Sequence, residues 1–364
     1  MTLPVLHLDG TAYDQGLQHG RALRDRIAAN LEVYFDRFLT EGQLPKDEAR
    51  TRAQGYQPVL DSHPYWDGMR GIADGSGQSL LDILVLNMRY ELLYFQYGFC
   101  AMVDGCTAFA VLPEASQNRH LLLGQNWDWI PQVQGAVVHT VEPDGLETLS
   151  FTEAGIVGGK IGLNSAGLGL AINGLLSTAD DWSRFQPPFH LRCYEILRSR
   201  TFEPAVHIVI DQPRACSTNF LIAETPARVL DIEAAPQTVR RLSASEGYAV
   251  HTNHFLDPAL LQVEEPPSER RPHSYRRQSR MQALLDARRP VAVADLEAAL
   301  RDHDDHPDGI CRHENAEDPP EEQYITVTSV IMDLEERSLR LTDGPPCEHL
   351  YEGYSLGHTA LVGR

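Results

Sequence analysis

Residues 104–129, DGCTAFAVLPEASQNRHLLLGQNWDW, decide how this chain is read. Residues 106–112 (CTAFAVL) have strand composition, and residues 119–129 form a second strand ending in the cluster Gln125-Asn126-Trp127-Asp128-Trp129. A Cys that opens a strand directly after Gly has two readings. In one, Cys106 is a buried thiol that packs like a small hydrophobe. In the other, the chain is cut between Gly105 and Cys106, and the thiol gains a free α-amine on the same residue. The ordinary pKa values are about 8.5 for the thiol and about 7.7–8.0 for the amine, so one residue supplies nucleophile and base. In an antiparallel pair, the start of one strand and the end of the next share a sheet edge. Asp128 is therefore expected beside Cys106, where its carboxylate can hold the new amine. The alternative is an ordinary strand-end Asp. The polar and aromatic side chains around it, Trp129 included, favour a site.

The chain has 364 residues, 42% hydrophobic and 23% charged, the composition of an ordinary globular protein. Its net charge of −20 disfavours nucleic acid and anionic membrane surfaces as partners. No secretory leader is evident at MTLPVLHLDG, and no apolar run is long enough to span a bilayer. The six Cys are scattered, which reads as reduced thiols in a cytoplasmic protein.

Elsewhere the pattern predicts a strand over 3–8, a helix capped by Asp14 and running to Phe38, and a polar, helical segment to about 58. A glycine-bearing loop with a short helix is expected over 63–77, and a continuous helix over 80–97. Hairpins are expected at 136–142/147–152, 160–164/168–173, 217–224/229–233 and 324–333/338–342, with a strand at 248–253. A helix is expected over 190–200, residues 204–211 are ambiguous, 264–277 reads as an exposed loop, and helices follow near 275–288 and 293–302. The Gly-rich run 155–174 lacks the spacing of a phosphate-binding loop and reads as two strands. Many antiparallel pairs with helices before, between and after them give an α+β class.

Asn173 and Asn253 stand at strand ends, where an amide can donate to an oxyanion or simply form a turn. Asp302-His303-Asp304-Asp305-His306 with Cys311 and His313 has metal-ligand chemistry, but no H-E-x-x-H or paired C-x-x-C supports it. The residues are read as solvated loop, and no metal is expected. Arg276, Arg277, Arg280 and Arg312 offer clamps for a substrate carboxylate or ordinary surface charge.

The runs D-G-C-T (104–107) and G-Q-N-W-D (124–128) resemble the isopenicillin N acyltransferase family, N-terminal-nucleophile (Ntn) hydrolases with a Cys nucleophile. Residues 10–20, 160–169, 251–255, 310–313 and 328–333 follow the same pattern in order. The resemblance implies a four-layer αββα sandwich and self-cleavage into 1–105, a mostly helical pro-segment, and 106–364, a catalytic chain, which stay associated. It implies Cys106 as nucleophile, Asp128 as catalytic carboxylate, Asn253 as oxyanion donor and Arg312 as first choice for the functional Arg. Arg277 is second, through the Ser-x-x-Arg pattern of related bile salt hydrolases. Asn173, Thr107 and Trp129 are carried as substrate or oxyanion residues. The segment 113–119 is longer than the family's usual turn, which puts the placement of Asp128 in question. The expected substrate is a small amide, a peptide or an acyl thioester, with acyl-coenzyme A as an acyl-donor substrate left open. No cofactor is expected, and a homo-oligomer is left open. Beside this reading stand two others: a metal-dependent hydrolase built on 302–313, and a binding protein in which Cys106 is merely buried.

Overall fold

The computed structural model describes residues 3–97, 105–181, 183–265, 272–319 and 323–357. Asp104, Cys100 and residues 266–271 of the Pro-rich stretch lie outside the described residues.

The core is a pair of sheets. One has six strands: β2 (Cys106–Val111), β3 (Leu122–Trp129), β11 (Tyr248–His251), β12 (Ile325–Asp333), β13 (Ser338–Leu341) and β14 (Glu352–Ser355), in the order β11-β2-β3-β12-β13-β14. The other has eight: β1 (Val5–Asp9), β4 (Gly135–Val141), β5 (Glu147–Glu153), β6 (Ile161–Asn164), β7 (Leu168–Gly174), β8 (Thr218–Glu224), β9 (Arg228–Ala234) and β10 (Val239–Leu242), in the order β1-β4-β5-β6-β7-β8-β9-β10. All named pairs are antiparallel except β1 with β4.

The sheets pack face to face, β2 and β3 against β7. Alternation along β2 explains how. Cys106, Ala108 and Ala110 point into the inter-sheet core, while Phe109 and Val111 join an outer cluster. That outer cluster is covered by α11 (Pro272–Asp286) and α12 (Val293–Leu300). On the far side α1 (Ala12–Ala22), α8 (Phe189–Leu197) and α9 (Phe202–Ile210) lie on the eight-stranded sheet. The layers are therefore αββα, as the resemblance implies.

Several elements differ from the sequence expectation. The first helix is two, α1 and α2 (Arg24–Thr40), broken at Leu23. Its cap is Thr11, whose hydroxyl accepts from the Asp14 amide while the Asp14 carboxylate accepts from the Thr11 amide. The expected helix over 80–97 is α6 (Leu80–Asn87) and α7 (Arg89–Tyr97), interrupted at Met88. The glycine-bearing segment 63–77 is not mainly loop but a helix, α5 (Pro64–Ser76). Its glycines allow backbone contact with α1: a Cβ on Gly71 would lie 2.2 Å from the Tyr13 carbonyl oxygen, and one on Gly75 2.4 Å from that of Leu17. The ambiguous segment 204–211 is helical, within α9. Strands β10 and β14 were not expected.

Candidate active site

Strand register assembles one edge of the six-stranded sheet. Cys106 pairs with Trp127, which sets Gly105 against Asp128; a Cβ on Gly105 would meet the Asp128 Cβ at 3.3 Å. The register is unbroken to Val111–Leu122, so the long 113–119 segment leaves Asp128 in place. On the other side of β2, His251 pairs with Ala108, so the chain leaving β11 carries Asn253 to the level of Cys106. Strand β12 begins beside the end of β3 and sets Thr326 opposite Asp128.

The Gly105–Cys106 peptide sits inside this frame. Asn253 Oδ1 accepts from the Gly105 amide at 3.0 Å and the Cys106 amide at 2.7 Å. Its Nδ2 donates to the Gly174 carbonyl of the facing sheet at 3.1 Å, and its backbone amide donates to Ser274 Oγ at 2.9 Å. Ser274 lies on α11, one turn from Arg277. Arg277 is 1% exposed, although its sequence neighbourhood reads as an exposed loop. Its guanidinium donates to the Cys106 carbonyl at 2.6 Å, Thr107 Oγ1 at 3.0 Å and Asn253 Oδ1 at 3.1 Å. This accounts for Thr107, which lies at the site as the anchor for a fixed cation.

Arg312, the arginine preferred from sequence, stands elsewhere. Its guanidinium pairs with Asp308 at 2.7 Å and lies over Tyr324. Its backbone connects to the site: the Arg312 amide donates to Thr326 Oγ1, whose hydroxyl donates to Asp128 Oδ1 at 2.7 Å. The arginine against Cys106 is Arg277.

Burial pushes the Cys106 thiol up to about 12 and the Asp128 carboxylate adds to the rise; the Asp128 backbone amide, Arg277 and Lys160 pull the other way. The thiol is therefore protonated at neutral pH.

The inter-sheet side carries a buried charge network. Trp127 and Trp129 stack, with centroids 5.8 Å apart, and Lys160 Nζ lies 2.9 Å from the Trp127 centroid. Lys160 and Arg89 both bind the Glu153 carboxylate, which also accepts from the Tyr34 hydroxyl. Trp129 Nε1 donates to that hydroxyl at 2.8 Å, so Trp129 is tied to this network. Burial works against the Glu153 charge, but Arg89 and Lys160 outweigh it and hold the carboxyl below its usual range. Burial lowers Lys160 to about 7 against the pull of Glu153. Asn173 lies one residue before Gly174; its Oδ1 accepts from Asn219 Nδ2 at 3.3 Å, and its own Nδ2 is buried with no partner. Asn219 in turn donates to Asp231, beside the pair His251 and Glu233. Asn173 thus backs the site from the facing sheet.

Cys106, Asp128, Asn253, Arg277 and Thr107 are brought together; Trp129 and Asn173 lie behind them, and Arg312 is apart. The sequence reading missed Lys160, Ser274 and Thr326. Lys160 carried a signal, a lone Lys opening a hydrophobic strand. A large surface cavity of about 880 Å³, lined by Tyr13, His63, Arg70, Glu142, Tyr194 and Arg198 among others, lies away from all of these residues.

Known proteins agree with the sequence resemblance. The chain is 28% identical over 324 residues to the acyl-coenzyme A:6-aminopenicillanic-acid-acyltransferase 40 kDa form of Emericella nidulans, covering 85% of each. An uncharacterized protein of Archaeoglobus fulgidus is 24% identical over 193 residues, 46% of this chain and 32% of its own length. Among solved structures, a Caenorhabditis elegans N-acylethanolamine-hydrolyzing acid amidase ortholog matches with a TM-score of 0.45 and 16% identity, covering 63% of this chain and 93% of that one. A Clostridium perfringens conjugated bile acid hydrolase variant matches with a TM-score of 0.48 and 12% identity, covering 71% and 99%. A family description matches residues 115–346, well over half of the sequence. The chain belongs to the acyl-coenzyme A:6-aminopenicillanic acid acyl-transferase family.

Proposed function

We propose that this protein is a self-cleaving cysteine amidohydrolase or acyltransferase acting on an amide, a peptide or an acyl thioester through an acyl-Cys106 intermediate. One observation carries the reading: a single Asn253 oxygen grips the amides on both sides of Gly105, while Arg277 grips the carbonyl of Cys106. The bond to be cut is thus fixed beside the thiol, with Asp128 across the strand pair. Gly105 suits the reaction because its carbonyl must tilt into reach of its neighbour's sulfur, and no Cβ restrains it.

In maturation the Cys106 sulfur attacks the Gly105 carbonyl carbon. The peptide C–N bond breaks, the proton of the thiol passes to the departing nitrogen, and a thioester remains. Water then hydrolyses the thioester to the Gly105 carboxylate and a free thiol. In turnover the new α-amine takes the thiol proton and the sulfur attacks the substrate carbonyl. The leaving amine or thiolate departs with that proton, and water or an acceptor amine releases the acyl group. Asn253 suits two tasks, Oδ1 holding the α-amine and Nδ2 donating to the oxyanion. Arg277 fixes the carboxamide so that these ends are not exchanged. No cofactor enters this scheme, and acyl-coenzyme A is an acyl donor it accommodates.

Residues 3–93 share one hydrophobic core with residues after 106, which supports two cleaved chains, 1–105 and 106–364, that remain together. The test is intact mass under denaturing conditions for wild type and Cys106→Ala. Wild type gives two fragments meeting at 105/106 and the variant gives one chain. An active wild-type chain that stays whole overturns the proposal.

A further inference from the structure

Apart from the Cys106 site, four soft ligands converge where the loop after α12 meets the loop after β13. His303, Cys311, His313 and Cys347 each offer one donor atom, and these atoms all lie within 4.8 Å of one another. His303 Nε2 and His313 Nε2 are 3.1 Å apart, Cys311 Sγ and Cys347 Sγ 3.5 Å, and His313 Nε2 lies 3.6 Å from Cys311 Sγ and 3.2 Å from Cys347 Sγ. A tetrahedron with zinc bonds of about 2.3 Å to sulfur and about 2.0–2.1 Å to nitrogen has edges of roughly 3.3–3.8 Å. These four separations match such edges to within a few tenths of an ångström, and His303 Nε2 lies within 4.8 Å of both sulfurs.

The scaffold that brings them together is made elsewhere. The Cys311 amide donates to the Asp302 carbonyl, the His313 amide to the Pro307 carbonyl, and Arg301 Nε to the Pro346 carbonyl, beside Cys347. The neighbouring carboxylates are otherwise engaged: Asp302 with Arg280, Asp305 with His273 and Arg276, and Asp308 with Arg312. Glu348 stands on the outer side of His313, its Oε1 3.6 Å from Nδ1. At that distance the two form a loose ion pair and not a hydrogen bond.

We propose that His303, Cys311, His313 and Cys347 bind one Zn(II) ion. Four protein ligands close the coordination shell, so the site is structural and has no position for water activation. The expectation of no metal, drawn from sequence spacing, is revised, and so is the metal-hydrolase alternative. Binding displaces the two thiol protons to solvent. The ion would tie the segment after β13 to the segment 311–313, whose middle residue meets Thr326 at the end of the catalytic sheet edge. This inference does not depend on the chemistry proposed at Cys106.

The test is zinc content of the full-length protein after equilibration with Zn(II) and removal of excess ion. One zinc per chain is expected, with Co(II) in its place giving the visible bands of a tetrahedral thiolate site. Cys347→Ser and His303→Gln, both at accessible positions, lose the ion. Chelation lowers Tm in wild type and leaves that of Cys347→Ser unchanged. Zinc in wild type no higher than in folded Cys347→Ser or folded His303→Gln, or a Cys311–Cys347 disulfide that excludes Zn(II) in protein prepared with reductant, overturns the proposal.

Discussion

Replacing Asn253 by Asp separates two roles that one carboxamide combines. Asn253→Ala would be uninformative, because it strips partners from the Gly105 and Cys106 amides and the Gly174 carbonyl together. At about 1–3 kcal/mol for each buried group, that approaches the roughly 5–15 kcal/mol that holds a protein folded. The Asp side chain keeps the accepting oxygen for both amides and gains a charge for Arg277, whose guanidinium is 3.1 Å from Oδ1. It loses only the donation to Gly174, about 1–3 kcal/mol, part of which the Arg277 pairing returns. The protein should fold. What it cannot do is donate to an oxyanion, and the loss of one such donor lowers a rate by about 10²–10³. The assay is the burst of acyl-Cys106 in the cut fraction, followed by intact mass after rapid quenching with an activated amide or thioester. A folded Asn253→Asp protein that acylates within tenfold of wild type refutes the assignment of Nδ2 to the oxyanion.

Two further outcomes follow from the same geometry. Arg277→Lys keeps a charge but cannot reach Cys106 O, Thr107 and Asn253 with one fork, so self-cleavage should slow by at least about tenfold. Arg312→Lys, which perturbs a pair with Asp308, should cut at a rate within a few-fold of wild type; time courses of intact mass separate the two. Burial opposes the charge of His251, but Asp231 and Glu233 outweigh it and raise its pKa to about 9. An unfolded His releases its proton near 6.5, so between these values the folded state binds more protons and stability falls as pH rises. The full loss is about 3 kcal/mol between pH 6.5 and 9. Denaturant titrations across that window should show the slope, and His251→Gln should be less stable but flat.

What the sequence discloses and what it hides have separate physical causes. The nearness of Asp128 to Cys106 is legible because a hairpin places the start of one strand against the end of the next, and no other element is needed to predict it. Arg312 ranks first from sequence by its position near the C-terminal strands, while Arg277 ends the run SERRPHSYRR, which reads as a solvated segment. The seating of α11 against β2 and β11 buries Ser274, Arg277 and Gln278 along one face while Arg276 and Ser279 stay exposed. The glycines of α5 misled for a related reason. Local preference reads them as loop formers, yet here the absent Cβ serves the approach of α1. The 302–313 cluster was set aside for lack of spacing, and Cys347, its fourth member, lies 34 residues beyond His313, where no local pattern reaches.

The same contrast bears on what the proposed cut would do to the chain. Arg89 comes from the segment before Gly105, while Glu153 and Lys160 come from the segment after it, and all three are buried in one cluster with Tyr34. Separating the fragments would leave Glu153 with only Lys160 and open the hydrophobic core across its middle. A buried carboxylate that loses a partner costs about 3–5 kcal/mol before any apolar surface is counted. Strand β1 adds a parallel ladder to β4 across the same divide. The proposed cleavage would therefore free a terminus without freeing a fragment. The ion cluster lies against Trp127, the cross-strand neighbour of Cys106, so the device that keeps the pieces together also sets the positive field behind the thiol. The proposed self-cleavage would need that coupling, because the contacts that survived the cut would be the ones left to hold Cys106 in place.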